Sequence, residues 1–114
     1  MTNPLKIDFA AFNSRVLVGR PRGEAAREKY DLDSIDKEGG QVEVTIPSNI
    51  YSVNSSFFLG LFGKSIVTAG SRESFFGRYH FSSSNELKER FEGYVSRALQ
   101  EKELFDGEQR GCDD

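Results

Sequence analysis

Residues 42–70 read VEVTIPSNIYSVNSSFFLGLFGKSIVTAG, and this stretch decides the fold class. Val42, Val44 and Ile46 alternate with polar residues and end before a proline, which is the pattern of a strand with one buried face. We expect this strand to be central in its sheet. A turn at residues 53–56 then leads into an apolar run with helical spacing, so the stretch predicts a strand, a turn and a helix in close succession.

The helix that follows the turn is predicted over residues 55–69. Asn54, Ser55 or Ser56 can cap it by accepting hydrogen bonds from its first free N–H groups. Its apolar face consists of residues three and four apart: Phe57, Phe58, Leu61, Phe62, Ile66 and Ala69. Gly60 and Gly63 each cost about 1 kcal/mol relative to Ala inside a helix, and the close approach of another backbone would compensate for that cost.

The rest of the chain predicts further strands and helices. Short strands are expected at residues 5–9, 16–18 and 79–81, a short helix at residues 22–30 with Ala25, Ala26 and Tyr30 inward, and a long helix opened by a capping box of Ser83 and Glu86. Residues 31–40 and 71–77 carry turn residues and are expected to be loops.

These elements predict an α/β fold in which a small mixed sheet of about four strands is packed by two to three helices. Residues 1–105 would form a single domain, and residues 106–114 a disordered acidic tail. Ten Phe and no Trp indicate that most of the Phe side chains belong to the core.

Composition limits the class of protein. An apolar share of 37% and a charged share of 29% are ordinary for a globular chain and exclude intrinsic disorder. The single cysteine, Cys112, allows no internal disulfide and favours a reducing compartment. No signal peptide and no apolar run near the roughly 18 residues of a membrane span are visible, so a cytoplasmic protein without membrane contact is expected. The net charge of -3 disfavours nucleic acid as a partner.

The sequence holds few of the groups that catalysis or metal binding requires. One histidine and one cysteine cannot form a zinc tetrad, and no phosphate-binding loop or dinucleotide fingerprint is present. No metal, no cofactor and no enzymatic activity are therefore expected. A small hydrolase that uses Ser56 with His80 is the enzymatic alternative, although no nucleophile-elbow pattern surrounds any serine.

Arg20, Arg22 and Arg27 form the densest basic feature of the chain. They lie near the predicted start of a helix, where the helix dipole adds positive potential, so an anion-binding site is one interpretation. The other is that these arginines are solvated or pair with Glu24, Glu28 and the acidic tail.

Several short motifs resemble those of a known family. They are VEVTI at residues 42–46, NSSF at residues 54–57 and LFGK at residues 61–64, with an Arg-Gly-Arg spacing ahead of the strand at Arg20, Gly23 and Arg27. Residues 42–99 thus resemble the STAS-like domain, a relative of the sulfate-transporter and anti-sigma-factor-antagonist domains. The resemblance implies a compact α/β fold with a binding role.

The resemblance also implies a modification site. In anti-sigma-factor antagonists a kinase-like partner phosphorylates the second serine of an Asp-Ser-Ser turn, and the match falls on Ser56. Two positions differ from the pattern: Asn54 stands in place of the acidic residue, and Leu59 and Gly60 stand where the STAS-like domain usually has an Asp-Glu pair.

We therefore expect a non-enzymatic protein-interaction or regulatory module that acts through the Ser55-Ser56 turn and the following helix. The residues expected to contact its partner are Asn54, Ser55, Ser56, Phe58 and Lys64. By the resemblance, the partner would be a kinase-like ATPase. An alternative is a phage or mobile-element inhibitor of the anti-CRISPR type, which occludes a nuclease or another bacterial defence complex. A homodimer formed through Phe75 or Phe76 is also left open.

Overall fold

A computed structural model describes the backbone of residues 4–112 and the side chains of residues 4–100. In chain order its elements are β1 (Leu5–Asp8), a 3-10 turn (Phe9–Phe12), β2 (Val16–Leu17), α1 (Arg20–Tyr30), α2 (Leu32–Glu38), β3 (Val42–Thr45), β4 (Ser52–Val53), α3 (Ser55–Ala69), α4 (Arg72–Arg78), β5 (Tyr79–Ser82) and α5 (Asn85–Cys112). The α/β class and the predicted helix over residues 55–69 are confirmed.

The strands form two parallel sheets. In the larger sheet the order is β1-β3-β5, so β3 is central as predicted, and in the smaller sheet β2 pairs with β4. The prediction of one mixed sheet of about four strands is wrong, because each described pairing is parallel and the strands divide three and two. Parallel neighbours require long crossover connections, and here α1 with α2 links β1 to β3 while α3 with α4 links β3 to β5.

Two predicted loops are helices. Residues 31–40 contain α2, and residues 71–77 contain most of α4. The turn residues that suggested loops instead serve as helix ends: Asp31 and Gly39 adopt left-handed conformations on either side of α2, and the Ser71 hydroxyl accepts a hydrogen bond from the Ser74 amide at 3.1 Å. Phe75 and Phe76 consequently lie on a helix, where Phe75 is buried and Phe76 is partly buried.

Two local predictions, at the start of α1 and at the start of α5, also need correction. Helix α1 begins at Arg20, and its Ala25 faces outward while Gly23 and Arg27 are buried beside Ala26. At the start of α5, the hydroxyl of Ser84, one residue later than predicted, accepts the hydrogen bond from the Leu87 amide. The backbone of α5 is helical through Cys112, past the predicted domain end at residue 105. The side chains of residues 101–112, and residues 113–114 altogether, lie outside the described part, so the predicted acidic tail at 106–114 stays a prediction.

The core lies between the larger sheet and the helices and is rich in aromatic rings. Phe58 of α3 stacks on Phe91 of α5 with ring centroids 4.8 Å apart, and Phe75 stacks on Tyr79 at the same distance. Six Phe side chains are fully or almost fully buried: Phe9, Phe57, Phe58, Phe62, Phe75 and Phe91. Most of the described Phe residues are therefore core residues, as predicted.

Helices α1 and α3 are in close contact where two glycines meet the opposite backbone. A Cβ atom on Gly60 would lie 2.5 Å from the carbonyl oxygen of Arg20, and one on Gly23 would overlap the carbonyl oxygen of Phe57. The predicted reason for Gly60, the approach of another backbone, is thus confirmed. At Gly63 a Cβ atom would meet only Leu59 Cβ, at an ordinary 3.8 Å, so packing within the described residues does not require glycine there.

We predict opposite effects of alanine at these two helix positions. Gly60→Ala should lower the free energy of unfolding by about 1–3 kcal/mol, because the new methyl group pushes α1 away from α3. Gly63→Ala should raise it by up to about 1 kcal/mol, since alanine favours the helix and meets no clash. Urea denaturation followed by circular dichroism measures both, and equal effects of the two changes would contradict the proposed role of Gly60.

Candidate functional site

The turn at residues 53–56 is fixed by hydrogen bonds to its own helix and to β2. The Asn54 side chain accepts a hydrogen bond from the Ser56 amide at 2.7 Å and so caps α3, as predicted. The Asn54 amide donates to the Leu17 carbonyl at 2.8 Å. Ser55 is half-buried and Ser56 is exposed, so the turn presents its hydroxyl groups beside the smaller sheet.

Exposed apolar side chains lie in the smaller sheet and directly beside its strands. Val16, Val18 and Tyr51 are 36%, 50% and 67% exposed, whereas Leu17 between the two valines is buried. They are three of the four large apolar side chains that are exposed in the described part of the chain, the other being Val67 of α3. We call Val16, Val18, Tyr51, Asn54, Ser55 and Ser56 the turn face.

Sequence reasoning identified the polar half of the turn face and missed the apolar half. The run Val16-Leu17-Val18 predicts a strand, but an apolar run alone does not indicate that its two valines are exposed to solvent. A usable signal lies in the comparison between strands. The outward positions of β1 and β3 hold Lys6, Asp8, Glu43 and Thr45, while the outward position of β2 holds a valine.

The other two residues predicted to contact a partner lie elsewhere. Phe58 is 0% exposed and packs against Phe62, Phe91 and Tyr94, so its side chain is inaccessible to a partner in this fold. Lys64 is exposed but lies two helical turns farther along α3 than Ser56.

Lys64 lines an open groove of about 1250 Å³ beside α1, α2 and α3. Gly60 and Gly63 are part of the lining, and both acidic and basic residues surround the groove: Arg20, Glu24, Arg27, Glu28, Asp31, Asp33, Asp36, Lys37 and Lys64. A smaller cleft of about 500 Å³ lies where β3 and β5 end and α5 begins, and Tyr51 and Glu86 are among the residues that line it.

Arg27, predicted as part of an anion-binding site, binds carboxylates of its own chain. Its guanidinium group is buried and lies 2.7 Å from an Asp33 oxygen and 3.0 Å from an Asp36 oxygen. It also donates to the Leu61 carbonyl at 2.9 Å and to the Ser65 hydroxyl at 2.8 Å. The helix contact at Gly60 brings α1 close enough to α3 for these hydrogen bonds to form.

The Asp36 carboxylate lies at the centre of this network, which we call the Asp36 cluster: Arg27, Asp33, Asp36, Ser65, Arg78 and Tyr79. One Asp36 oxygen accepts hydrogen bonds from Arg27 at 3.0 Å and Ser65 at 2.6 Å. The other accepts from Arg78 at 3.1 Å and Tyr79 at 2.6 Å. Within the described residues, no buried polar side-chain atom lacks a hydrogen-bond partner.

Two side chains of the Asp36 cluster have shifted pKa values. The hydrogen bond and the positive charge of Arg27 lower the pKa of the exposed Asp33 carboxyl below its ordinary 3.8. Burial raises the pKa of the Tyr79 hydroxyl far above its ordinary 10.0, and the hydrogen bond to Asp36 acts in the same direction.

The structure brings only some of the remaining predicted site residues together. Arg20 and the buried Arg27 both line the groove, whereas Arg22 donates to the Phe12 carbonyl at 3.1 Å. Ser56 and His80 are not hydrogen-bonded to each other; His80 Nε2 lies 2.7 Å from the side-chain oxygen of Gln41.

Within the described part of the chain, no group of three His, Cys, Asp or Glu residues is placed to hold a metal ion. The helices searched there include none with the length and apolar character needed to cross a membrane. Comparison with known proteins finds no family model that matches, and no match among curated proteins or solved structures. The resemblance to STAS-like domains therefore stays a prediction.

We predict that Asp36→Asn destabilises the protein by on the order of 3 kcal/mol, because it removes the negative charge between two arginines that are largely buried. Asp33→Asn should cost much less, since the Asp33 side chain is 73% exposed. Urea denaturation at neutral pH measures both changes. Similar losses for the two variants would show that Asp36 is not the centre of the network.

Tyr79 should give the stability a component that disappears at high pH. Its pKa is higher in the folded chain than in the unfolded chain, so its contribution is complete below pH 10 and is lost as the pH rises toward the folded value. Tyr79→Phe should lower the free energy of unfolding by roughly 1–3 kcal/mol at neutral pH and remove this component. The exposed Tyr51 provides the control: Tyr51→Phe should leave the alkaline loss of stability as in the wild type.

Proposed function

We propose that this protein is a non-enzymatic interaction module that binds a protein partner through the turn face. The observation that carries the proposal is the exposure of Val16 in β2 and of Val18 directly after it, on either side of the buried Leu17. A strand that faces water ordinarily carries polar residues on that side, as β1 and β3 do here. Apolar side chains grouped on a surface are typical of a site that is covered by another molecule.

Tyr51 gives the turn face an anchor of the kind that protein interfaces favour. Its ring combines a large apolar area with a polar hydroxyl, and tyrosine is enriched among the residues that contribute most to binding. At 67% exposed it is the most exposed large apolar side chain of the described residues. The neighbouring hydroxyl groups of Ser55 and Ser56 supply polar contacts at the edge of the same surface.

The backbone of the turn face is held in place before any partner arrives. The Tyr51 amide donates to the Arg15 carbonyl at 3.1 Å, and the Asn54 amide donates to Leu17. On the α5 side, the Tyr94 hydroxyl donates to the Val53 carbonyl at 2.9 Å. Since these hydrogen bonds already order the loop, binding would require little further loss of backbone entropy.

The identity of the partner stays a prediction from the sequence. A kinase-like ATPase follows from the resemblance, and a nuclease or other defence complex is the alternative. Phosphorylation of Ser56 would place negative charge on the turn face and thereby alter docking there. The first experiment therefore tests the surface directly, whichever class of partner it binds.

Site-specific photo-crosslinking in the organism that encodes the protein tests the turn face. With benzoylphenylalanine in place of Val18 or Tyr51, we expect one and the same partner protein to be crosslinked from both positions. The same probe in place of Val67, the exposed apolar residue outside the turn face, should give none of that product. Mass spectrometry identifies the product.

Side-chain truncation provides the matched control. Val18→Ser combined with Tyr51→Ser should abolish co-purification of that partner, whereas Val67→Ser should preserve it. Crosslinking from position 67 alone, no crosslink from any position, or a product that consists of two copies of this chain would each refute the proposal. Urea denaturation of the three proteins shows whether loss of binding reflects unfolding.

A further inference from the structure

The two segments that form the turn face contain no acidic residue. Residues 9–23 and residues 44–72 include no Asp or Glu, so all 18 acidic residues of the chain lie outside these segments. The first segment contains β2, and the second contains β4 and the turn before α3. The chain as a whole has a net charge of -3, but the only charged residues in these two segments are basic.

Three arginines of the first segment flank the exposed valines. Arg15 directly precedes β2, and Arg20 and Arg22 lie in the first turn of α1, just after Val18. All three are exposed, and within the described residues none of them forms an ion pair. They differ in this respect from Arg27 and Arg78, whose charges are compensated by Asp36.

Along the chain, the basic residues of the turn-face segments lie close to β2. Glu86 of α5 lines the cleft that Tyr51 also lines, so the opposite side has a carboxylate nearby. Glu24 lies on the groove side of α1 together with Arg20. In sequence order, the two exposed valines are therefore bordered by Arg15 on one side and by Arg20 on the other.

We infer that the partner segment that docks along β2 is extended and acidic and carries apolar side chains that cover Val16 and Val18. The inference rests on the proposed function and adds the chemistry of the partner. Among the described strands, β2 pairs only with β4, and on its other edge the Val16 carbonyl accepts an exposed hydrogen bond from the Ser14 hydroxyl at 2.7 Å. An extended segment that lies along this edge would replace that hydrogen bond with one from its own backbone. Arginine binds carboxylates with two parallel hydrogen bonds, and charge complementarity of this kind speeds association at low salt.

Short fluorescein-labelled peptides test the inference by fluorescence anisotropy. One peptide alternates Glu with Val, and a second alternates Lys with Val. We expect the Glu-Val peptide to bind the wild-type protein and the Lys-Val peptide not to bind. The affinity for the Glu-Val peptide should fall as the salt concentration rises, because the arginines are exposed to solvent.

Two double variants separate a local effect from overall charge. Arg15→Gln with Arg20→Gln should weaken binding of the Glu-Val peptide by about threefold to tenfold. Lys88→Gln with Arg90→Gln removes the same charge from exposed positions of α5 and should leave the affinity unchanged. Equal affinities of all three proteins, or binding of the Lys-Val peptide as tight as that of the Glu-Val peptide, would overturn the inference.

A thymidine oligonucleotide distinguishes an acidic peptide from a nucleic acid. If it bound more tightly than the Glu-Val peptide and the arginine variant weakened it equally, a phosphate polymer would replace the acidic segment, and the inference would fall. If the Glu-Val peptide does not bind but crosslinking at Val18 and Tyr51 persists, the acidic chemistry of the partner is refuted and the proposed function is retained. If crosslinking fails, the proposed function itself is refuted.

Discussion

The Asp36 carboxylate, buried between Arg27 and Arg78, is the interaction on which the arrangement of the helices depends. Asp36 belongs to the crossover from β1 to β3, and three of its hydrogen-bond donors, Ser65, Arg78 and Tyr79, belong to the crossover from β3 to β5 or begin β5 itself. Parallel strands place their connections far apart in sequence, so such connections need tertiary contacts to stay in register. The carboxylate joins the two connections directly.

A buried ionic group contributes to stability only if its partners are placed well, because removing charges from water is costly. Here the placement follows from the contact of α1 with α3. Gly60 lets the Arg20 backbone approach α3, and two turns farther along α1 the Arg27 guanidinium reaches both Leu61 and Ser65. A larger residue at Gly60 would separate the helices and lengthen the same hydrogen bonds that compensate the buried charge. Packing and electrostatics are therefore coupled at this contact.

Local sequence patterns predicted the elements whose signals are local and failed where partners are distant. The central strand, the Asn54 cap and helix α3 follow from alternation, capping chemistry and three-four spacing within a few residues. Local patterns do not predict helices α2 and α4, because Asp31, Gly39 and Ser71 are residue types that are common in loops. The same residue types also begin and end helices, which is their role here. The split into two parallel sheets depends on long-range pairing, which no local pattern records.

The candidate site shows the same division between local and distant information. The sequence predicts an anion site at Arg27 from its nearness to Arg20 and Arg22, whereas its partners in the fold, Asp36 and Ser65, lie 9 and 38 residues away. Conversely, Phe58 belongs to the apolar face that helical spacing had already indicated, so its burial follows from the pattern itself.

The fold buries one cluster of compensated charge and leaves Val16 and Val18 exposed, and helix α1 connects the two features. Arg27 of α1 is directed toward Asp36, whereas Arg20 and Arg22, which follow Val18 in the sequence, are exposed. An exposed strand edge is ordinarily protected from unwanted pairing by charged residues within the strand. In β2 the charges flank the strand instead, at Arg15 and Arg20, and they are all positive. Such an edge repels basic segments and admits acidic ones, so the same residues that attract one class of partner also exclude another.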